Sequence, residues 1–318
     1  MSTVAGVADG DAALLQLGGA LQASGYRFTT VTPATHARVN GRAGNEWARS
    51  IADVFGWSRP FRSGLLATEW VDWMDAAGVL DTHEDGWRSA IRFSTLAGSL
   101  YLHSAYPTTA ADSVFFGPDT CRFGTAITAH LAAGHADVRR AVDIGCGAGP
   151  GALLVALARP EAEVVGVDIN EQALRYTRLA ARLAGATNLT TQRSDLLSAV
   201  AGQFDLIVAN PPYLLDPGER VYRHGGGGLG EGLSLDIATL ASTRLAPGGT
   251  LLLYTGTAVC GGIDRFHDLV AERLHGSSVD WHYRELDPDV FGEELLEPAY
   301  AGADRIAAVL LTVTRSRV

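Results

Sequence analysis

The chain has 318 residues, of which 47% are hydrophobic and 19% charged. That is enough for one large domain or two ordinary ones with real cores, and it excludes a disordered chain. The formal net charge of −10 argues mildly against a protein that lives on unspecific phosphate contacts.

Every basic residue is Arg, which reads as a compositional bias without functional weight. The three cysteines, Cys121, Cys146 and Cys260, stand at neither CxxC nor metal-ligand spacing, as expected of reduced thiols in a cytoplasmic protein with no metal. The start, MSTVAGVADGD, has no basic segment leading into an apolar one, and no apolar run reaches the ~18 residues of a membrane span. The expectation is a soluble cytoplasmic chain with no membrane partner.

Residues 11–26, 45–57 and 65–79 place apolar side chains at helical spacing, with Asn45 and Thr68 as expected N-caps. The period then changes. WRSAIRF (87–93) and LYLHS (100–104) read as two strands around a turn at 96–99. Helices followed by a hairpin predict a small winged-helix-like module. Residues 1–110 hold eight Arg against ten Asp and Glu, which favours a protein-docking or packing role over nucleic-acid binding. YPTTAAD (106–112) marks a boundary, giving an N-terminal substrate or partner domain over 1–107 and a second domain over 108–318.

From there, strands alternate with helices. AVDIG (141–145), EVVGVDI (163–169), FDLIVAN (204–210) and GTLLLYTG (249–256) are short and apolar, with helical segments at 151–158, 171–184 and 234–245. That order predicts an α/β fold, a parallel sheet with helices on both faces. VDWHYREL (279–286) and RIAAVLLTVT (305–314) read as an antiparallel pair closing the sheet edge.

Four motifs carry chemistry. In VDIGCGAGPGAL (142–153), a strand ends at Asp143, and Gly145, Cys146, Gly147, Gly149 and Gly151 lead into a helix. Glycines allow a tight turn and close approach to a ligand, and the helix start offers free amides. Dinucleotide enzymes use such loops too. Asp143 favours a cationic amino group there and would repel a pyrophosphate. Asp168 ends the next strand, where an acid accepts both hydroxyls of a ribose, and Ile169 can lie on a base. In RSDLL (193–197), Asp195 followed by Leu196 sits where an acid can accept from an exocyclic amino group. Finally, IVANPPYL (207–214) stops a strand with two prolines. The Asn210 side-chain carbonyl and the Pro211 backbone carbonyl are two acceptors on a rigid turn, able to take both hydrogens of a flat NH2 group. Pro212 stiffens the turn and Tyr213 can stack on a planar substrate.

DIGCGAG, VVGVDIN, RSDLL and NPPY, in this order, resemble the class I S-adenosylmethionine-dependent methyltransferases. The NPPY form resembles their amino-methylating branch, which includes release-factor glutamine methyltransferases and DNA and RNA amino-methyltransferases. The likeness covers residues from about 112 to 318. It implies a Rossmann-like mixed seven-strand sheet with the last strand antiparallel. It implies S-adenosyl-L-methionine as cofactor, with Asp143, Gly145 and Gly147 on its methionine part, Asp168 on the ribose and Asp195 on the adenine. Upstream, FFGPDTCRFGTAI (115–127) resembles the segment in which residues like Pro118, Asp119 and Thr120 close over the cofactor. The implied acceptor is a protein amide or a nucleic-acid base amino group, and a small guanidino or amino metabolite is the alternative. A noncatalytic cofactor-binding protein is the reading from another class, and a nicotinamide oxidoreductase disagrees with Asp143 and NPPY.

The stretch YRHGGGGLGEGLSLD (222–236) reads as a mobile lid or a flexible linker. Arg223 and His224 can reach an acidic or planar substrate from it. Asp216-Pro217 and the long glycine run depart from the release-factor pattern. The acid-rich ELDPDVFGEELLEPAY (285–300) reads as a solvated connection between the closing strands.

Overall fold

Short runs rich in β-branched and aliphatic residues, without alternation, suit strands covered on both faces. In the computed structural model, which describes residues 3–134, 137–216 and 223–317, these runs form one large sheet. Its parallel strands are β5 (Arg140–Ile144), β6 (Glu163–Asp168), β7 (Leu189–Arg193), β8 (Phe204–Ala209) and β9 (Leu245–Cys260). The antiparallel edge is β11 (Val279–Asp287) and β12 (Arg305–Arg315), with the short β10 (Ile263–Asp264) folded back on β9. The order across the sheet is β11-β12-β9-β8-β5-β6-β7. The last strand therefore inserts between β9 and β11, antiparallel to both.

Helices α5 (Pro118–Ala132), α6 (Pro150–Ala158), α7 (Glu171–Ala184), α8 (Gly232–Arg244) and α9 (Arg265–Leu274) cover the sheet. Helix α7 matches its expected bounds. It is capped by the Asn170 side chain, which accepts from the Gln172 amide, and it ends at Gly185 in the left-handed region. Two apolar clusters fill the two sides of the sheet. One contains Val142, Ile207 and Leu251; the other contains Ala141, Leu206 and Leu252, their alternating neighbours.

The N-terminal part contains α1 (Thr3–Ala23), α2 (Pro33–Asn40), α3 (Ile51–Phe55) and α4 (Thr68–Ala76). Two hairpins follow: β1 (Leu80–His83) with β2 (Gly86–Ser89), and β3 (Ile91–Leu96) with β4 (Ser99–Ser104). One hairpin was expected, and the first of these two is the addition. Helix α3 is capped by Ser50, not Asn45, because the Ser50 hydroxyl accepts the Asp53 amide. Thr68 opens α4 without capping it; Ala67 holds the cap position.

This N-terminal part shares its core with the large sheet's helices. Leu14, Leu17, Phe93 and Leu102 belong to one cluster with Leu153, Tyr176 and Leu179 of α6 and α7. An Arg175–Asp11 ion pair at 2.6 Å ties α7 to α1. Among the described residues, no helix is long and apolar enough to cross a membrane.

Candidate active site

The loops after β5, β6, β7 and β8 all leave the sheet at its carboxyl edge. The chain reverses direction across the sheet between β5 and β8, where such folds leave a crevice. A cavity of about 250 Å³ opens there. It is lined by Asp143, Gly145, Cys146 and Gly147 from the first loop, Asp168 and Ile169 from the second, and Asp195 and Leu196 from the third. Asn210, Pro211, Pro212 and Tyr213 line it from the fourth, and Asp119 and Thr120 from the start of α5. Of the expected site residues, Pro118 alone lies off the wall. It holds the first position of α5, where its missing amide costs nothing.

Asp143 is 1% exposed. Its Oδ2 accepts the Ala152 amide at 2.8 Å, which fastens the start of α6. A Cβ at Gly151 would sit 2.7 Å from that oxygen, so glycine is what admits the helix start. Its Oδ1 is buried with no hydrogen-bond partner. Burial raises the carboxyl to about 7, against the Ala152 amide and with help from the Asp168 charge. A buried, half-satisfied acid on a cavity wall is suited to a cationic amine. The glycine loop beside it and the ribose-ready Asp168 complete a donor set that fits the aminoacyl nucleoside of S-adenosylmethionine.

Asp168 also braces the loop. Its Oδ2 accepts the Gly147 amide at 3.0 Å and its Oδ1 the Asn170 amide at 2.9 Å. Burial raises its carboxyl as well, against those bonds. Each oxygen keeps one further lone-pair direction for a hydroxyl. Ile169, 45% exposed, stands at the cavity's edge as an apolar plate. Asp195 is exposed and Leu196 adopts φ 48°, turning that loop toward the site. Thr120 does double duty, since its hydroxyl accepts the Gly117 amide at 3.2 Å and caps α5. Asp119 is buried. It accepts from the Tyr254 hydroxyl at 2.6 Å and from Arg122 at 3.1 Å, and burial pushes its carboxyl up.

Tyr213 differs from its expected stacking role. Its ring is 8% exposed, packed against Gly256 of β9 and edge-on to Phe291 at 6.0 Å. A Cβ at Gly256 would meet that ring at 2.3 Å. The tyrosine is a wedge under the turn, with its hydroxyl buried on the side of Asp119.

The glycine run, expected as a lid or linker, is hydrogen-bonded to the NPPY turn. Gly225 donates to the Leu214 carbonyl at 2.8 Å, Leu214 donates to the Arg223 carbonyl, and Leu233 donates back to Gly225. A Cβ at Gly225 would lie 2.0 Å from the Gly230 carbonyl and 2.7 Å from the Pro212 carbonyl. These glycines permit backbone to lie directly on the NPPY turn. Arg223 and His224 hold the turn as well. Arg223 pairs with Asp216 at 3.3 Å and with Glu294, and the Asp216 amide donates to His224 Nδ1 at 3.2 Å. Glu294 is itself buried, so the acid-rich connection is not wholly solvated. Pro217 and Tyr222 lie outside the described residues.

The wall also carries Pro33, Phe115, Phe123, Leu233, Ile237 and Phe291, apolar side chains with no site role expected from sequence, beside the polar Ser113, Asn170, Ser194 and Arg223. Leu233 and Ile237, four apart on α8, are the only pair among these with a readable periodic signal.

Residues 109–257 match the family model of the methyltransferase small domain. A 4-amino-L-phenylalanine/4-methylamino-L-phenylalanine methyltransferase of Streptomyces pristinaespiralis is 33% identical over 41% of this chain and 49% of its own length. A release factor glutamine methyltransferase of Xylella fastidiosa is 34% identical over 38% of this chain and 48% of its own. One from Mycobacterium leprae is 41% identical over 35% and 44%. The chain thus spans about half the length of the curated relatives it matches. The NPPY turn and the acid-and-glycine loops, gathered on one cavity, all lie within residues 109–257, the stretch that matches the methyltransferase small domain.

Proposed function

We propose that this chain is an N-methyltransferase acting on a planar NH2 nitrogen. The observation that supports this most is that Asn210–Tyr213 share one cavity wall with Asp143, Asp168 and Asp195. S-adenosylmethionine supplies an electrophilic methyl group. Asp143 takes its amino group, Asp168 its ribose hydroxyls and Asp195 its adenine amino group. Asn210 and the Pro211 carbonyl take the two hydrogens of the acceptor nitrogen and hold it in line. Alignment of this kind lowers the barrier chiefly by removing orientational freedom. The two acceptors stabilise the positive charge that grows on nitrogen.

The acceptor class that the family supports first is a protein glutamine or asparagine amide, or a base amino group. The apolar wall of Pro33, Phe115 and Phe291 favours a second reading, a small amine on a planar body. The name of the Streptomyces pristinaespiralis relative, which carries an aromatic amine, points the same way.

The test uses S-adenosylmethionine with a labelled methyl group and a cell extract separated into protein, nucleic acid and small molecules. Label is expected in one fraction. Asn210→Ala is expected to cut turnover more than tenfold while the cofactor Kd stays within about threefold, as for an interaction made mainly in the transition state. Equal loss of both would make Asn210 a structural residue. Cofactor binding without transfer to any fraction would favour the noncatalytic reading.

A further inference from the structure

Strand β11 ends the large sheet, and among the described residues no strand lies along its outer edge. Such an edge is a row of backbone donors and acceptors open to another strand. The register on β12 decides which residues face outward. Val279 stands opposite Arg315, and one step beyond, the Ser316 amide donates to the Ser278 carbonyl at 3.1 Å. Hydrogen-bonded pairs alternate along an antiparallel ladder. Asp280, His282 and Arg284 therefore turn their backbone groups to β12, as Ser278 does. Val279, Trp281, Tyr283 and Glu285 turn theirs to the open edge.

The side chains divide in the same way. Trp281 and Tyr283 are half-buried, and His267 of α9 lies edge-on to their rings at 5.4 and 5.2 Å. The Tyr283 hydroxyl donates to Asp264 at 2.6 Å, which ties the strand to the start of α9. Asp280, His282 and Arg284 are exposed on the opposite face. Among the described residues, these three side chains make no hydrogen bond and no ion pair.

Charges on an edge strand usually keep a second strand away. Here they have opposite signs and stand symmetrically, two residues to either side of His282. An antiparallel strand of the same sequence, centred on His282, sets Asp280 opposite Arg284 of the second copy and Arg284 opposite its Asp280. Both pairs fall at non-hydrogen-bonded positions, where opposed side chains come closest. At the outward-facing positions, Trp281 and Tyr283 exchange backbone bonds, and their rings pair across the join on the other face. Centring on Trp281 or on Tyr283 loses both ion pairs. Centring on Arg284 sets two arginines face to face. The bulge between Glu285 and Asp287 ends the regular ladder, so the pairing runs from Val279 to Glu285. The set is complementary to itself under a two-fold axis, as an isologous dimer requires. We propose that β11 pairs with β11 of a second copy of this chain, antiparallel and centred on His282, joining two sheets into one. This inference is independent of the methyl-transfer reading.

The test is sedimentation equilibrium of the full chain at low ionic strength and about 100 µM, which populates even a weak interface of this size. A species of twice the 33.5 kDa chain mass is expected. Asp280→Arg and Arg284→Asp, each alone, put like charges opposite each other twice and are expected to weaken association about tenfold. Mixing the two variants in equal amounts restores both pairs in the mixed dimer, so association is expected to return. A parent that stays monomeric overturns the proposal. So does a dimer that neither variant weakens, which uses another surface, and so does a mixture that associates no better than its components. If either variant does not fold, His282→Cys decides: a disulfide between two copies that the parent does not form upholds the join, and its absence overturns it.

Discussion

Asp143 concentrates the chemistry of the site in one side chain. One oxygen holds a helix start, and the other is buried without a hydrogen bond. Because its folded carboxyl is raised from 3.8 to about 7, the native state keeps a proton that the unfolded chain gives up near pH 4. The native state therefore loses stability as pH rises from about 4 to about 7, by up to about 1.4 kcal/mol per pH unit from this group. We expect Asp143→Asn to flatten that part of a Tm-against-pH curve measured without ligand. Saturating S-adenosylmethionine, whose amine favours the ionised form, should flatten it too. An unchanged slope in the variant would place the buried proton elsewhere. The acids at strand ends, Asp143 and Asp168, could be read from sequence because each stands at the end of an apolar run and precedes a helix. The inward set of Tyr213 could not. It depends on Gly256, 43 residues away and on another strand.

At the scale of elements, the fourth loop and the glycine run form one unit. Glycine in a row signals either freedom or close approach, and composition alone does not separate the two. Here the partner is the NPPY turn's own backbone. Gly230 has φ 97°, and a Cβ there would stand 2.1 Å from the Tyr213 carbonyl. Gly230→Ala is therefore expected to displace the turn and cut turnover more than tenfold, because it meets both backbone strain and a clash. Gly228→Ala, whose nearest neighbour would be Glu231 Oε1 at 3.5 Å, should leave turnover within about twofold. Equal effects in the two variants would return the loop to the status of a mobile lid. Other elements were legible but unread. Helix α9 carries the Asp264 cap and apolar Phe266, Val270 and Leu274 at helical spacing. Strand β7, LTTQR, has almost no apolar signal, since it lies at the sheet's edge with exposed positions.

At the scale of the whole molecule, the strand–helix alternation made the sheet legible: β5, β6 and β8 lie within a residue of where they were expected, while β9 runs four residues further at each end. The join between the two parts was not legible, because no local pattern shows that α7 packs on the β4 hairpin. Residues 108–318 produced alone would expose Leu153, Tyr176 and Leu179. At about 1.5–3 kcal/mol for each large side chain, that fragment is expected to aggregate or to be cut within α7 under limited proteolysis, where the full chain resists. A stable, monomeric fragment would show that the shared cluster is dispensable. The same continuity bears on how the proposed enzyme would select its acceptor. Pro33 lines the cavity from a part that shares a common interior with α7, so packing between the two parts sets where that wall stands. Grafting the first hundred residues from a relative would then transfer selectivity only if the outward face of α7 were grafted with them.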